Sequence, residues 1–249
     1  MKIKEDVANV LANSIIEDNK LFLPDTQLER KLYTDVSKVL VVLKGKWNRS
    51  AKAHVFAYNP TDMIEEVLLT GEYVDDKKIF QFFETPELLA LKLIYLADIK
   101  DGETLCEPSA GKGRIAQYLT GCDKIELNPE CTAFLQDNMR NLGGEIIQAD
   151  FLTTTKRYDV FIANPPFAKQ QDIDHVNHMI NLANRKVISI MSANVLWRDN
   201  KKTIAFRERV ESLGGEFTLV DDGAFKESGT MVKTCIVNID IPQTVEEKI

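Results

Sequence analysis

From residue 79 onward, short apolar runs alternate with longer amphipathic stretches, and this alternation constrains the fold more than any other feature of the sequence. The apolar runs predict seven strands, at 103–107, 122–127, 145–149, 158–163, 187–193, 216–220 and 232–240. Helical spacing of apolar residues predicts helices at 86–96, 113–120, 129–141, 172–184 and 200–213. Strands that alternate with crossover helices form an α/β sheet, mostly parallel and covered on both faces. No helical stretch separates the last two strands, so we expect a hairpin with an antiparallel final strand.

The N-terminal part lacks this alternation and predicts a separate small α+β module. Its predicted elements are two strands and two helices: strands at 21–23 and 54–58, and helices at 28–43 and 59–69. Asp25 or Thr26 is expected to cap the first helix, since short polar side chains accept hydrogen bonds from free helix N–H groups. The sequence therefore predicts two domains, 1–75 and 79–249.

Charge is distributed unevenly between these two parts of the chain. Residues 1–60 carry ten Lys or Arg and seven Asp or Glu, a net charge of +3, whereas the rest has 21 and 31, a net charge of −10. An acidic body argues against indiscriminate nucleic-acid binding, and the basic end could meet a polyanion. There, Lys44, Lys46, Arg49 and Lys52 surround Trp47, an arrangement that suits phosphate contact plus stacking. Packing of Trp47 into the small core is the other interpretation.

Several classes of protein are excluded by what the sequence lacks. Four cysteines, at 106, 122, 131 and 235, form no C-x-x-C pair, so we expect no disulfide framework, no zinc finger and a cytoplasmic setting. No apolar run approaches the roughly 20 residues of a membrane span, and no secretory signal is recognised. His175 and His178 share a helix face, but we interpret them as solvated helix residues and predict no metal.

Polar groups capable of holding a ligand follow the first three predicted strands of the α/β domain. Gly111, Gly113 and Ala116 match G-x-G-x-x-G/A after the first strand. Glu126 ends the second strand, where a carboxylate can accept both hydroxyls of a ribose. Asp150 ends the third and could accept from an adenine amino group. The glycine pattern also allows a nicotinamide cofactor.

After the fourth strand comes Asn164-Pro165-Pro166-Phe167, which favours transfer to an aromatic or amide nitrogen. The prolines stiffen the segment and have no N–H to compete for its carbonyl oxygens. The Asn164 side-chain oxygen and the Pro165 carbonyl can therefore both accept hydrogens from one NH2 group, which would stabilise positive charge as that nitrogen attacks. Phe167 offers a stacking face for a planar substrate.

Together these motifs resemble class I S-adenosylmethionine-dependent methyltransferases, most closely the adenine-N6 DNA methyltransferases, over residues 79–240. The resemblance implies a Rossmann-like fold with a seven-stranded sheet of order 3-2-1-4-5-7-6 and direct methyl transfer to a flipped base. Asn164, Pro165, Pro166 and Phe167 match the catalytic motif. The positions that match the family's cofactor site are Phe83, Thr85, Glu107, Pro108, Ser109, Ala110, Gly111, Gly113, Glu126, Leu127, Asp150, Phe151 and Asn164.

Alternative functions stay open at this point. An RNA base amine or a protein glutamine side chain, like adenine N6, presents an NH2 group that two acceptors would have to hold while its nitrogen attacks. A nicotinamide-dependent oxidoreductase leaves Asn164 to Phe167 unexplained. Every predicted catalytic position is filled, which argues against a non-catalytic module that keeps the fold to bind DNA or a partner. Because little of the α/β domain is left over for reading a DNA sequence, recognition is expected from the N-terminal module or from 170–177, 197–202 or 222–230. The turn at 46–49 is similar to segments in methyltransferase-like proteins of phages and mobile elements.

Overall fold

The computed structural model describes residues 2–43, 45–56, 59–73, 84–221 and 232–242, and these divide into two compact units. The first unit is formed by residues 1–83 with 225–232, and the second by 84–224 with 233–249. The predicted loop at 222–230 and Phe83 lie outside the described residues. None of the described helices is long and apolar enough to cross a membrane.

The N-terminal unit contains a small antiparallel sheet flanked by helices. Its described elements are α1 (Glu5–Ala12), β1 (Ile15–Glu17), β2 (Lys20–Phe22), α2 (Arg30–Val42), β3 (Lys46–Asn48), β4 (Ala53–Val55) and α3 (Thr61–Thr70). The strand order is β1-β2-β4-β3. The predicted cap is wrong, because α2 begins four residues after Thr26, with Glu29 at its N-cap and no side-chain bond.

Trp47 lies on β3, which runs through the basic stretch where the sequence indicated a turn. Its ring is 49% exposed and meets the buried His54 ring in a T-shaped contact, with 5.1 Å between the centroids. Burial lowers the pKa of His54 below its ordinary value. Trp47 is therefore not enclosed in the small core, and much of its ring faces solvent.

The second unit is built on a seven-stranded sheet in its described part. The strands are β5 (Leu105–Pro108), β6 (Asp123–Glu126), β7 (Ile146–Gln148), β8 (Tyr158–Ala163), β9 (Ala183–Ser192), β10 (Glu216–Leu219) and β11 (Thr234–Asp240). Their order is β7-β6-β5-β8-β9-β11-β10, which is 3-2-1-4-5-7-6 when counted within the unit. β11 pairs antiparallel with both β9 and β10, and the other pairs are parallel. The predicted fold class, strand order and final hairpin are confirmed.

Four helices accompany this sheet: α4 (Glu87–Ala97), α5 (Pro129–Asn138), α6 (Gln171–Leu182) and α7 (Lys201–Ser212). Each corresponds to a predicted helix. The core lies between helices and sheet, where Phe161, Met179 and Val187 belong to one continuous buried cluster. From Val160 in β8 and from Val187 in β9, every residue of these interior strands is buried, so both faces are covered and apolar residues predominate there without strict alternation.

The predicted helix at 113–120 is wrong, because only a single 3₁₀ turn, Ala116–Tyr118, forms there. Gly111 and Gly113 have φ values of +55° and +71°, so the backbone in this loop is left-handed at two positions and cannot continue a right-handed helix. The 3₁₀ turn is followed by extended backbone at Leu119.

Gly113→Ala is expected to lower the free energy of unfolding by roughly 2–4 kcal/mol, since left-handed strain and overpacking add. An added Cβ would lie 2.9 Å from Leu135 Cδ2 and 2.8 Å from Met139 Cε. Urea denaturation would measure the loss. Gly121→Ala is the matched control, since Gly121 has φ +77° and nothing within 4 Å of its Cβ position. Equal losses of unfolding free energy in Gly113→Ala and Gly121→Ala would contradict the argument that packing around Gly113 excludes a Cβ.

Candidate active site

The predicted site residues converge where the strand order reverses, between β5 and β8. β5 pairs parallel with β6 on one side and with β8 on the other. After β5 the chain continues to β6, its neighbour on one side. Its neighbour on the other side is β8, which comes later in the sequence. A crevice therefore opens at the carboxyl ends of β5 and β8, the place where open α/β sheets bind ligands.

The loop after β5 is fastened to the end of β6 by the Glu126 carboxylate. Glu126 Oε2 accepts from the Gly111 N–H at 2.6 Å, and Oε1 accepts from the Asn128 N–H at 2.7 Å. The Ala110 N–H donates to the Ile125 carbonyl at 3.0 Å. Each carboxylate oxygen can accept more than one hydrogen bond, so the predicted ribose acid keeps acceptor capacity while holding the loop.

Glu107, at the end of β5, is a buried carboxyl group that serves the same loop. Its side chain is 2% exposed, and Oε2 accepts from the Ala116 N–H at 2.7 Å. Burial raises its pKa to about 8, and the N–H groups of Ala116 and Ile115 offset only part of that effect. Pro108 and Ala110 are also buried, and Ser109 is half-buried with φ +58°.

A second link joins the loop to the segment before α4. Glu84 accepts from Arg114 Nε at 2.8 Å and lies 3.4 Å from Lys112 Nζ. The hydrogen bond from Arg114 lowers the pKa of Glu84. Tyr118 Oη donates at 3.0 Å to Oε1 of Glu87, the first residue of α4, so the loop is linked to α4 as well as to the segment before it.

Asn164, the first residue after β8, is oriented by Thr85. Asn164 Nδ2 donates to Thr85 Oγ1 at 3.1 Å, and Thr85 is 6% exposed. Because an amide carries its donors and its acceptor on different atoms, this bond fixes which way the Asn164 side chain faces. The structure thereby brings together a residue predicted for catalysis and a residue predicted for cofactor contact.

Phe167 is 6% exposed, so its ring presents little surface to a substrate in this conformation. Pro165 before it is also buried. The Phe167 carbonyl accepts from the Gln170 N–H at 3.2 Å and closes a tight turn. Stacking of Phe167 on a base therefore stays a prediction, and it requires the segment to open.

Lys169 and Gln170 follow with φ values of +54° and +60°, a left-handed conformation that costs roughly 1–2 kcal/mol per non-glycine residue. Gln170 Oε1 accepts from Thr203 Oγ1 at 3.0 Å and from Asn200 Nδ2 at 3.2 Å. The Gln170 carbonyl accepts from Lys202 Nζ at 3.0 Å. The sequence placed Gln170, Asn200 and Lys202 in two segments expected to take part in recognition but did not predict the contacts between them, although Asn200 carries the signal of a helix N-cap.

The predicted adenine-contacting residues after β7 face different surroundings. Asp150 is exposed, and its Oδ1 accepts from the Leu152 N–H at 3.0 Å. Phe151 is 3% exposed and belongs to the core cluster, where it meets Phe161 at 5.8 Å between ring centroids. Leu127, beside Glu126, is 53% exposed. An apolar side chain and a carboxylate are thus available to a ligand on this side, whereas the Phe151 ring is enclosed.

His175 and His178 are not solvated helix residues, so that expectation is wrong. His175 Nδ1 lies 2.8 Å from the Gln171 carbonyl, and His178 Nε2 lies 2.9 Å from the Thr154 carbonyl. Their ring centroids lie 5.8 Å and 4.9 Å from that of Phe151. The shared helix face thus packs on an aromatic ring. No cluster of three metal-binding side chains occurs in the part of the chain that the structure describes.

Glu107→Gln is expected to stabilise the protein at high pH. The folded state keeps Glu107 protonated up to about pH 8, whereas an ordinary glutamate releases its proton near 4.5, so wild-type stability falls as the pH rises between these values. Glutamine keeps an acceptor for the Ala116 N–H without a charge. Urea denaturation at several pH values should show the free energy of unfolding of Glu107→Gln rising relative to that of wild type as the pH increases.

Glu103→Gln supplies a control of opposite sign. The hydrogen bond from Arg185 lowers the pKa of Glu103, so the stabilisation by the wild-type carboxylate grows as the pH rises from below that lowered pKa to about 4.5 and is constant above it; the stability of Glu103→Gln relative to wild type should therefore fall with rising pH below about 4.5 and stay level from pH 5 to pH 9. A difference in the free energy of unfolding between Glu107→Gln and wild type that stays constant from pH 5 to pH 9 would contradict the raised pKa of Glu107.

Comparison with known proteins gives similarity of fold. Neither a protein-family model nor a curated protein sequence matches the chain. The EcoKI M protein of a type I restriction enzyme matches with a TM-score of 0.55 and 14% identity, over 97% of this chain and 58% of that one. This chain thus spans little more than half of the EcoKI M protein.

Two further structures cover the α/β part. A dimethyladenosine transferase from Plasmodium falciparum matches with a TM-score of 0.51 and 15% identity, over 65% of this chain and 63% of that one. A candidate RNA methyltransferase from Pyrococcus horikoshii matches with a TM-score of 0.50 and 18% identity, over 76% of this chain and 98% of that one. The strand order and these matches together show that the chain has the Rossmann-like fold of class I methyltransferases.

Proposed function

We propose that the protein is an S-adenosylmethionine-dependent methyltransferase that methylates the N6 amine of adenine in DNA. The observation that carries the proposal is the position of Asn164 to Phe167. This segment directly follows β8, beside the loop that Glu126 fastens after β5, so a nitrogen-binding motif borders a ligand-binding crevice. The fold neighbours include the M protein of a type I restriction enzyme, a dimethyladenosine transferase and a protein named as an RNA methyltransferase.

The side chains around the crevice fit S-adenosylmethionine. The cofactor supplies a methyl group on a positively charged sulfur. Glu126 and Asp150, at the ends of β6 and β7, are acceptors suited to ribose hydroxyls and an adenine amine, and the exposed Leu127 suits the adenine ring. The loop of Ser109, Ala110, Gly111 and Gly113 would approach the ligand with its backbone. Carboxyl groups in this number suit a cationic ligand better than a polyphosphate.

Asn164 and Pro165 would hold the attacking amine. The N6 lone pair of adenine is delocalised into the ring, which makes it a poor nucleophile. Two fixed acceptors, Asn164 Oδ1 and the Pro165 carbonyl, would favour a tetrahedral nitrogen and stabilise its developing positive charge. Thr85 contributes by fixing the Asn164 amide before the substrate arrives. No residue needs to form a covalent bond, since the nitrogen attacks the methyl carbon directly.

The base would have to leave the duplex to reach this segment, as in other enzymes that act on a nucleobase. Phe167 is the aromatic side chain placed to stack on it once the segment opens. An RNA base amine, or a glutamine side chain, would meet the same two acceptors, and the RNA-methyltransferase neighbour keeps RNA as the second candidate.

Purified protein should transfer a labelled methyl group from S-adenosylmethionine to DNA, with N6-methyladenine recovered after nuclease digestion. Asn164→Ala should lower kcat at least 100-fold, the scale of losing one transition-state acceptor. RNA and protein acceptors belong in the same screen. Methylation of RNA alone would replace DNA as the substrate, and full activity of Asn164→Ala would refute the catalytic assignment.

Thr85→Val and Thr85→Ser test the orientation of Asn164. Valine removes the hydroxyl that accepts from Asn164 Nδ2, so kcat should fall roughly 10-fold or more while KM for DNA changes little. Serine keeps the hydroxyl and should retain most activity. If the two variants lose equal activity, packing of Thr85 rather than its hydrogen bond is what matters.

A further inference from the structure

An exposed tryptophan stands at the same edge of the sheet as Asn164. Trp197 is 57% exposed and follows the 3₁₀ turn Ala193–Leu196, which continues directly from β9. β9 runs parallel to β8, with Ser189 opposite Ala163. The segments that follow these two strands therefore emerge side by side, and Trp197 lies on the segment next to Asn164.

The segment that carries Trp197 is held rigidly by Arg207 of α7. Its guanidinium donates to the carbonyls of Val195 at 2.9 Å and Arg198 at 2.7 Å, and to Asp199 Oδ1 at 3.1 Å. The backbone N–H of Trp197 donates to the Asn194 carbonyl at 3.1 Å. The large ring is thus displayed on a fixed backbone, which lowers the entropy lost when a ligand packs on it.

Gln170 couples this segment to the proposed catalytic one. It lies three residues after Phe167, and its side chain contacts Asn200 and Thr203 at the start of α7, just beyond Trp197. The Trp197 segment and the residues just after Phe167 are therefore both attached to the N-terminal end of α7.

The charges around Trp197 suit a polyanion. Lys169 and Lys201 are exposed and take part in no ion pair among the described residues. Lys202 pairs with Asp174 at 2.7 Å, and the acidic neighbour Asp199 is neutralised by Arg207. A rigid exposed aromatic ring, with available cations on its own segment and on the segment joined to it through Gln170, is a combination that binds a nucleotide strand through stacking and phosphate contacts.

We propose that Trp197 stacks on the base next to the target adenine, on the same strand, while Lys169 and Lys201 contact the flanking phosphates. This rests on the proposed function and adds a subsite to it. Removing the target base from the duplex exposes a face of its neighbour, and Trp197 covers that face. The subsite would hold the DNA strand independently of the reacting nitrogen.

Fluorescence can test the contact, because the chain has only two tryptophans, Trp47 and Trp197. In Trp47→Phe the emission reports Trp197 alone, and saturating quenching by a duplex substrate is expected since bases quench a stacked indole. Trp197→Phe reports Trp47 and monitors the N-terminal unit in the same titration. Unquenched Trp197 emission at a DNA concentration that saturates methylation would overturn the proposal.

Kinetics provide the second test. Trp197→Ala should raise KM for DNA roughly 5- to 100-fold, the scale of losing one base stack, and leave KM for S-adenosylmethionine unchanged. Tyr95→Ala is the matched control. Tyr95 is 83% exposed on the last turn of α4, at the opposite edge of the sheet, where the Ala97 carbonyl meets Arg185 at the start of β9. Lys169→Gln and Lys201→Gln should each make the slope of log K for DNA binding against log salt concentration shallower by about one, because one counterion fewer is released.

The outcomes separate the two proposals. If wild-type protein methylates no DNA, the proposed function and this subsite both fail. If wild type methylates DNA and Trp197→Ala has an unchanged KM for DNA, only the subsite fails. Circular dichroism and thermal unfolding of Trp197→Ala guard against a folding defect, and the more conservative Trp197→Phe should show a smaller rise in KM because it keeps an aromatic face.

Discussion

The parallel pairing of β5 with both β6 and β8 is the constraint on which the site depends. It places the reversal of strand order at β5, so the segments leaving β5 and β8 diverge and open a crevice. The Glu126 carboxylate then fastens the β5 segment to the neighbouring strand. Thr85 and Glu84, which precede α4, contact Asn164 on one side of the crevice and Arg114 on the other. The crevice is thus braced from both sides by side chains of this unit.

Much of this architecture could be predicted from the sequence, since local patterns specify it. The strands β8 and β9 are long apolar runs, and Asn200 and Pro129 mark helix starts through their own chemistry. The absence of a helical sequence pattern between the last two apolar runs predicted the antiparallel pairing of β10 and β11. Sheet order came from the resemblance of the motifs, and the fold comparisons agree with it.

The errors came from interactions that only the folded chain supplies. The backbone at Gly113 is left-handed and α5 packs where a Cβ would lie, and a helical pattern of residues 113–120 reveals neither feature. His175 and His178 looked solvated because their partner Phe151 lies more than 20 positions away in sequence. The Gln170 anchors were missed for the same reason, since Asn200 and Thr203 are about 30 positions distant.

The paired left-handed residues after Phe167 have a thermodynamic consequence for movement of that segment. Lys169 and Gln170 are held in a strained backbone by the contacts of Gln170 with α7. Breaking those contacts releases the strain, so the free-energy difference between the closed and open segment is smaller than the lost hydrogen bonds alone would give. A ligand that binds the open segment therefore needs less binding energy to shift its population than the lost hydrogen bonds alone would require.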